Sequence, residues 1–248
     1  MSLNKIYGRH AVLEALRAQD SKVQKVLLAK GGHGSVLKEL ISAAEARGVE
    51  VETWERNRFE RLAGPVVHQG VLAEVFTRSY ADLEDILQAA TEDLPRALIM
   101  VCDEIEDPRN LGAVARCAEG AGAQGLVITT HRSTEITSVA EKASGGALEH
   151  LTVAKVVNLA NALEQIKAAG IWIAGLDGET GDSLWDVDLN RPLALVVGNE
   201  GKGLRRLTLE KCDMRLKVPM LGQVDSLNAS VAAGIALFEI QRQRQYKK

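Results

Sequence analysis

Long apolar runs are missing from this 248-residue chain. No stretch approaches the roughly 18 to 20 consecutive apolar residues that a bilayer span requires, and the opening MSLNKIYGRH has no apolar signal core. A cytoplasmic protein without membrane attachment is therefore expected. Cysteine is scarce: Cys102, Cys117 and Cys212 are odd in number, far apart and form no CxxC pair. That argues against both a disulfide framework and a zinc site. His10, His33, His68, His131 and His150 are equally scattered, so no metal is expected. Internal repeats and low-complexity segments are also lacking.

What is present fits an ordinary globular protein, with 46% apolar and 25% charged residues. The net charge of −3 does not advertise a nucleic-acid binder. Its distribution is uneven, because residues 1–76 are slightly basic while the remainder is acidic. Basic clusters occur at Arg56, Arg58 and Arg61, at Lys202, Arg205 and Arg206, and in the tail at Arg242, Arg244, Lys247 and Lys248. Such clusters are usually solvated surface, so charge alone assigns no RNA partner.

The hydrophobic pattern divides the chain. Residues 1–78 alternate helix (8–19, 35–48, 57–64) with strand (22–29, 49–54, 69–77), a small α/β module. Residues 79–95 are acidic, end at Pro95 and read as a helical linker. From residue 96 to 248, near-continuous apolar strands (97–103, 125–129, 171–176, 193–197 and a short 216–218) alternate with helices at 110–122, 137–143, 158–169, 203–211 and 225–245. That pattern predicts an α/β fold with a mostly parallel sheet covered on both faces. Ligands of such sheets bind at the carboxyl ends of strands, here the loops after residues 103, 176, 197 and 218.

The glycine-rich loops fail the phosphate tests. A Walker loop needs G-x-x-x-x-G-K-[ST], but five residues before Gly201 lies Val196, and Gly203 follows Lys202. Glu200 would also repel a phosphate in that loop. The string Gly120-Ala-Gly122-Ala-Gln-Gly125 satisfies GxGxxG, yet it closes a helix and opens a strand, the reverse of a dinucleotide site.

Three segments instead pair bare backbone with isolated polar side chains: Asp107 to Arg116, Gly198-Asn199-Glu200-Gly201, and Val218 to Ser230. Each residue also has a plain reading. Asn110, Asp225 and Ser226 suit helix N-caps, Arg116 suits a structural ion pair, and Glu200 suits a helix dipole. Their coincidence at three strand ends of one domain favours a ligand site held largely by main-chain groups.

The spellings NLGAVAR, VVGNEGKGL and VPMLGQVDSLNASVAAGIALFE resemble the three signature motifs of the SpoU (TrmH-type) RNA ribose 2′-O-methyltransferases of the SPOUT superfamily. IYGRHAVLEAL and HQGVLAEV resemble the ribosomal-protein-like RNA-binding domain of the RlmB branch, which methylates a guanosine of large-subunit ribosomal RNA. The resemblance implies a deep trefoil knot in the second domain, S-adenosylmethionine as cofactor, and a homodimer through that domain. It places the cofactor against Leu176, Gly198, Asn199, Glu200, Gly201, Val218, Pro219, Met220, Leu221, Ser226 and Leu227. It assigns catalysis to Asn110, Arg116, Glu200, Ser226 and Asn228, with Ser230 weaker. Arg9, His10 and Arg56 are the candidates for RNA contact in the first module. Because arginine stays protonated in proteins, Arg116 is expected to stabilise a developing alkoxide or hold a phosphate rather than act as base, with Asn110 and Glu200 orienting it. The competing readings are a transfer-RNA guanosine methyltransferase, a ribosomal-RNA adenosine methyltransferase, and a non-catalytic RNA-binding or assembly factor.

Overall fold

The computed structural model describes residues 2–18, 23–77, 79–178 and 180–245. The chain forms two compact units, Met1–Ser79 and Tyr80–Lys248.

The first unit runs β1 (Ser2–Tyr7), α1 (Arg9–Arg17), β2 (Val23–Ala29), α2 (Ser35–Ala46), β3 (Glu50–Trp54), α3 (Arg56–Ala63) and β4 (Val71–Thr77). Among the described residues its sheet has the order β1-β4-β2-β3, with β4 antiparallel to β1 and β2, and β3 parallel to β2. The strand period of two sends alternate side chains of β2 to opposite faces. Val26 and Leu28 join Val12, Leu16 and Leu40 of α1 and α2 on one face, while Leu27 meets Phe59 and Ala63 of α3 on the other. The pattern of residues 1–7 did not announce β1. Among the described residues its ladder is to β4, and Ile6 and Tyr7 add half-buried apolar contacts to the two faces of the sheet.

The second unit begins with α4 (Leu83–Glu92), a short 3₁₀ turn at Leu94–Arg96, and β5 (Leu98–Asp103). There follow α5 (Pro108–Gly120), β6 (Gly125–Thr129), α6 (Ser138–Ser144), α7 (Ala147–His150), β7 (Val153–Val156), α8 (Leu159–Ala168) and β8 (Trp172–Leu176). The chain then forms β9 (Asp182–Ser183), β10 (Leu193–Gly198), α9 (Arg206–Lys211), β11 (Met214–Lys217) and α10 (Ala229–Gln245). Among the described residues the sheet order is β7-β6-β5-β10-β8-β11-β9, and every pairing is parallel.

Both sheet faces are covered, which is why β5, β6 and β10 are buried along their whole length. Leu98, Met100 and Cys102 of β5 pack with α5 and α10. Ile99 and Val101 pack with α4 and α8. The segment 79–95 is therefore not a linker in structural terms. Leu83, Ile86, Leu87 and Ala90 of α4 bury themselves in the second core, at the i, i+3, i+4, i+7 spacing of one helix face. Gly125 serves that packing, since a Cβ there would sit 2.6 Å from Ile86 side-chain atoms. The GxGxxG string thus closes α5 and opens β6.

The chain builds outward from β5 through β6 to β7, then crosses to β8, and β10 returns to lie between β5 and β8. This reversal of direction places a crevice at the carboxyl ends of β8, β10 and β11. No described helix is long and apolar enough to cross a membrane.

Candidate active site

The loop after β10 is closed on itself. Asn199 and Gly203 exchange backbone hydrogen bonds of 3.1 and 2.8 Å. A Cβ at Gly198 would lie 2.3 Å from the carbonyl carbon and oxygen of Gly203, so only glycine permits the pinch. The Asn199 side chain braces the turn, accepting from the Gly201 N–H at 3.0 Å and donating to the Glu104 carbonyl at 3.1 Å. Glu200 lies in this turn, and the next helix begins only at Arg206, so Glu200 is not placed to serve a helix dipole.

A second brace sits beneath the loop. Asp103, whose side chain is fully buried at the end of β5, accepts from Arg205 Nε at 2.7 Å and from the Arg205 backbone N–H at 3.1 Å. Another Arg205 nitrogen lies 3.1 Å from Glu104, a non-glycine residue held at φ 60°. The β5–α5 and β10–α9 loops are thereby locked together.

Beside these loops opens a cavity of about 550 Å³. Of the residues expected to hold a cofactor, Leu176, Gly198, Asn199, Glu200, Gly201, Val218, Met220, Ser226 and Leu227 line it. Pro219 and Leu221 do not, and Leu221 is fully exposed. Asp177, Gly178, Lys217 and Asp225 line it as well, and Ala229 and Ala232 of α10 present small side chains to it.

A hydrogen-bonded chain ties the three polar segments together. Asn110 donates its side-chain N–H to the Glu200 carboxylate, and its carbonyl accepts from Asn228 Nδ2 at 3.0 Å. Asn228 Oδ1 accepts from the Ser230 hydroxyl at 2.6 Å and from the Ser230 backbone N–H at 2.9 Å. Asn228, not Asp225 or Ser226, therefore caps α10. At α5 the cap is Asp107, which accepts from the Arg109 N–H at 2.8 Å with Pro108 in the first turn, and Asn110 is free to face Glu200.

The SpoU rRNA Methylase family matches residues 97–238, and the substrate-binding family of RNA 2′-O ribose methyltransferases matches residues 5–81. The chain belongs to the SpoU family of RNA methyltransferases. The Bacillus subtilis (strain 168) protein YacO, named for the TrmH family of tRNA/rRNA methyltransferases, is 41% identical over 239 residues, 96% of this chain and 95% of that protein. A Staphylococcus haemolyticus (strain JCSC1435) protein named for the same family is 36% identical over the same lengths. Among solved structures, the SpoU methyltransferase AviRb of Streptomyces viridochromogenes in complex with S-adenosylmethionine superposes with a TM-score of 0.62 at 26% identity, covering 99% of this chain and 92% of that one.

The SpoU cofactor is S-adenosylmethionine, and the cavity suits it. Its volume lies within the usual 300 to 1,000 Å³ range of small-molecule sites. Leu176, Val218 and Leu227 offer apolar surface for an adenosine, Asp177 and Glu200 offer carboxylates to a cation, and Lys217 offers a cation to a carboxylate.

Arg116 stands apart from this cluster. It is six residues beyond Asn110 on α5, and at about 100° per residue the two point to different faces. Its guanidinium lies over Gly145, where a Cβ would be 3.3 Å from Cζ. Among the described residues it makes no hydrogen bond or ion pair with Asn110, Glu200 or any other side chain, so within one chain the orienting contacts expected from sequence are not formed.

In the first unit, Arg9 and Arg56 line a common cleft, and the exposed His10 does not. Sequence reasoning missed the Asp103–Arg205 brace altogether, because nothing links two residues 102 positions apart except the fold. It also missed Asp177 and Gly178, whose one signal was their position after the apolar run of β8.

Proposed function

We propose that this SpoU enzyme methylates the ribose 2′-oxygen of a guanosine in large-subunit ribosomal RNA, working in the cytoplasm as a homodimer joined through its second unit. The observation that carries the reading is the Glu200–Asn110–Asn228–Ser230 chain, which joins side chains from all three signature segments and reaches the cofactor cavity through Glu200.

S-adenosylmethionine supplies an electrophilic methyl group when bound. The protein's part is to wrap the cofactor with the main chain of the loops after β8, β10 and β11, with Gly198, Val218 and Leu227 at its adenosine side. Asn110, held from both sides by Glu200 and Asn228, keeps the nucleophile's pocket in one geometry, as near-attack placement within about 3 to 3.5 Å demands. Ser226 fixes the target nucleotide. Arg116 remains a cation and neutralises the forming alkoxide or grips the adjacent phosphate, for which its planar fork suits.

The homodimer is supported by the position of Arg116, which lies against Gly145 and not on the cofactor cavity of its own chain. Exposed Phe238 and Val231 on α10 offer apolar surface for such pairing. The crossovers around β10 are proposed to form the trefoil knot of the SPOUT fold. Residues 1–78 are proposed to capture RNA, which favours ribosomal over transfer RNA.

Transfer of tritiated methyl groups to in-vitro-transcribed ribosomal and transfer RNA tests the reading, with the modified nucleotide mapped by mass spectrometry. The expected product is a 2′-O-methylguanosine in a large-subunit transcript. Methylation of transfer RNA alone, or of an adenosine, would replace the substrate assignment. No transfer to any RNA would favour a binding factor.

A further inference from the structure

The first unit contains a second cleft, of about 440 Å³, at the carboxyl ends of β2 and β3. We propose that it holds one unpaired nucleotide of the substrate RNA, with phosphate on Arg9 and the base against Val66 and Val67. This rests on the RNA-methyltransferase reading and adds where, and in what form, RNA is gripped.

Charge is the first support. Arg9, Lys30, His33, Arg56 and His68 line the cleft, and among the described residues no Asp or Glu does. Lys30 and Arg56 are engaged with Glu55 at 2.6 Å and Glu60 at 3.0 Å, exposed pairs of little net strength that a phosphate can replace. Arg9 differs. Its guanidinium donates to the carbonyls of His33 at 2.8 Å and Gln69 at 3.2 Å. These neutral acceptors fix its position, and among the described residues no carboxylate pairs with it.

The walls are built for contact rather than left over. The bare backbone of Gly31 and Gly32 lines one side. On the other, Gln69 is held at φ 51°, and its side-chain oxygen accepts from the Arg9 backbone N–H at 3.2 Å. His68 Nδ1 accepts from the Gly70 N–H at 3.0 Å, so its ring proton sits on Nε2, a donor available to a base edge. Val66 and Val67 are 43% and 85% exposed on the rim, apolar surface that costs solvation unless a flat partner covers it.

Shape selects the class of ligand. A concave cleft of this size accepts a single nucleotide, whereas a duplex presents a convex surface too wide to enter. Sequence-selective RNA recognition generally uses such splayed, unstacked bases. An acidic peptide would satisfy the cations but has no use for the apolar rim beside them.

The test uses the full-length protein and a large-subunit ribosomal RNA transcript containing 4-thiouridine. Photocrosslinking followed by peptide mapping is expected to mark residues 30–34 or 64–70, and crosslinks confined to the second unit would overturn the proposal. In filter binding across a salt series, Arg9→Gln should lower the slope of log K against log salt by about 0.7, the value of one single-strand phosphate contact. Val67→Glu should weaken RNA binding about tenfold by replacing the apolar surface under the base with a charge, roughly 1.4 kcal/mol. Both variants should bind S-adenosylhomocysteine as the parent does. Should Arg9→Gln misfold, Val67→Glu decides alone, since its site is exposed and tolerates the change. A parent enzyme that methylates RNA while Val67→Glu binds RNA undiminished sinks the cleft and spares the enzymatic reading. A parent that crosslinks in the cleft but transfers no methyl group does the reverse.

Discussion

Asn228 donates its side-chain N–H to the side-chain carbonyl of Asn110, 118 residues earlier, at 3.0 Å. The same residue caps α10 through its Oδ1, so one side chain both starts the last helix and holds the first motif. Asn228→Asp separates these roles. Aspartate caps as well as asparagine, but its carboxylate faces the Asn110 carbonyl with no hydrogen to share. Turnover should fall by about 10- to 100-fold through misplacement of the reacting groups, with thermal stability nearly unchanged. A turnover number within twofold of the parent would show that the contact is dispensable.

Arg116 does not line the cofactor cavity, so Arg116→Lys should bind S-adenosylhomocysteine normally in calorimetry while methyl transfer drops about tenfold or more with loss of the bidentate fork. If Arg116 serves the site of a second copy, Arg116→Ala and Asn110→Ala, each inactive alone, should complement when mixed and exchanged. Random pairing in a two-fold dimer restores about a quarter of the sites. Mixing without recovery would place Arg116 in its own chain's reaction.

Much of this was legible in sequence. Buried strands such as LIMVCD and LALVVG carry their own signature, and the three polar segments converge because parallel strands bring their carboxyl ends to one edge. Other features were not. Asp225, Ser226 and Asn228 are chemically equivalent as caps, and only the backbone chooses Asn228. The Asp103–Arg205 pair needs the β5–β10 register to become visible. The apolar spacing of Leu83, Ile86, Leu87 and Ala90 did signal a packed helix, but the acidic residues on its other face and the terminal Pro95 made it read as a connector.

Gly198 and Gly201 offer a paired test of the cofactor loop. At Gly198 an added Cβ would meet backbone at 2.3 Å, and at Gly201 it would meet the Asn199 side chain at an ordinary 3.6 Å. Gly198→Ala should cost about 1 to 3 kcal/mol through overpacking and abolish S-adenosylhomocysteine binding. Gly201→Ala should leave affinity within a few-fold of the parent. Equal behaviour of the two variants in calorimetry would show that the pinch at Gly203 does not shape the site.

The brace between β5 and β10 predicts a stability effect with a functional shadow. Arg205→Met strands the buried Asp103 carboxylate. Removing one partner of a fully buried pair costs about 3 to 5 kcal/mol. Because Arg205 is 42% exposed, about 2 to 3 kcal/mol is expected in urea unfolding. Asp103→Asn with Arg205→Met should recover part of the loss, since no charge is then left buried. An undiminished denaturation midpoint in Arg205→Met would dismiss the brace.

The cysteines add to the loss of stability at alkaline pH. Burial pushes the Cys212 thiol up to about 11, and its sulfur donates to the Thr208 carbonyl at 3.2 Å, which also favours the protonated form. Cys102, fully buried, is raised further for the same reason. An unfolded cysteine titrates near 8.5, so above that pH the unfolded chain loses these protons first and the folded chain keeps them. The contribution is fully present below about 8.5 and is lost as pH rises toward 11. Unfolding free energy should therefore decline across that window, and Cys212→Ala should flatten the decline. In parallel, a thiolate-directed reagent at pH 8 should label Cys102 and Cys212 far more slowly in the native protein than in urea. Native labelling of Cys212 at the unfolded rate would mean that the space between α9 and β8 is open to solvent.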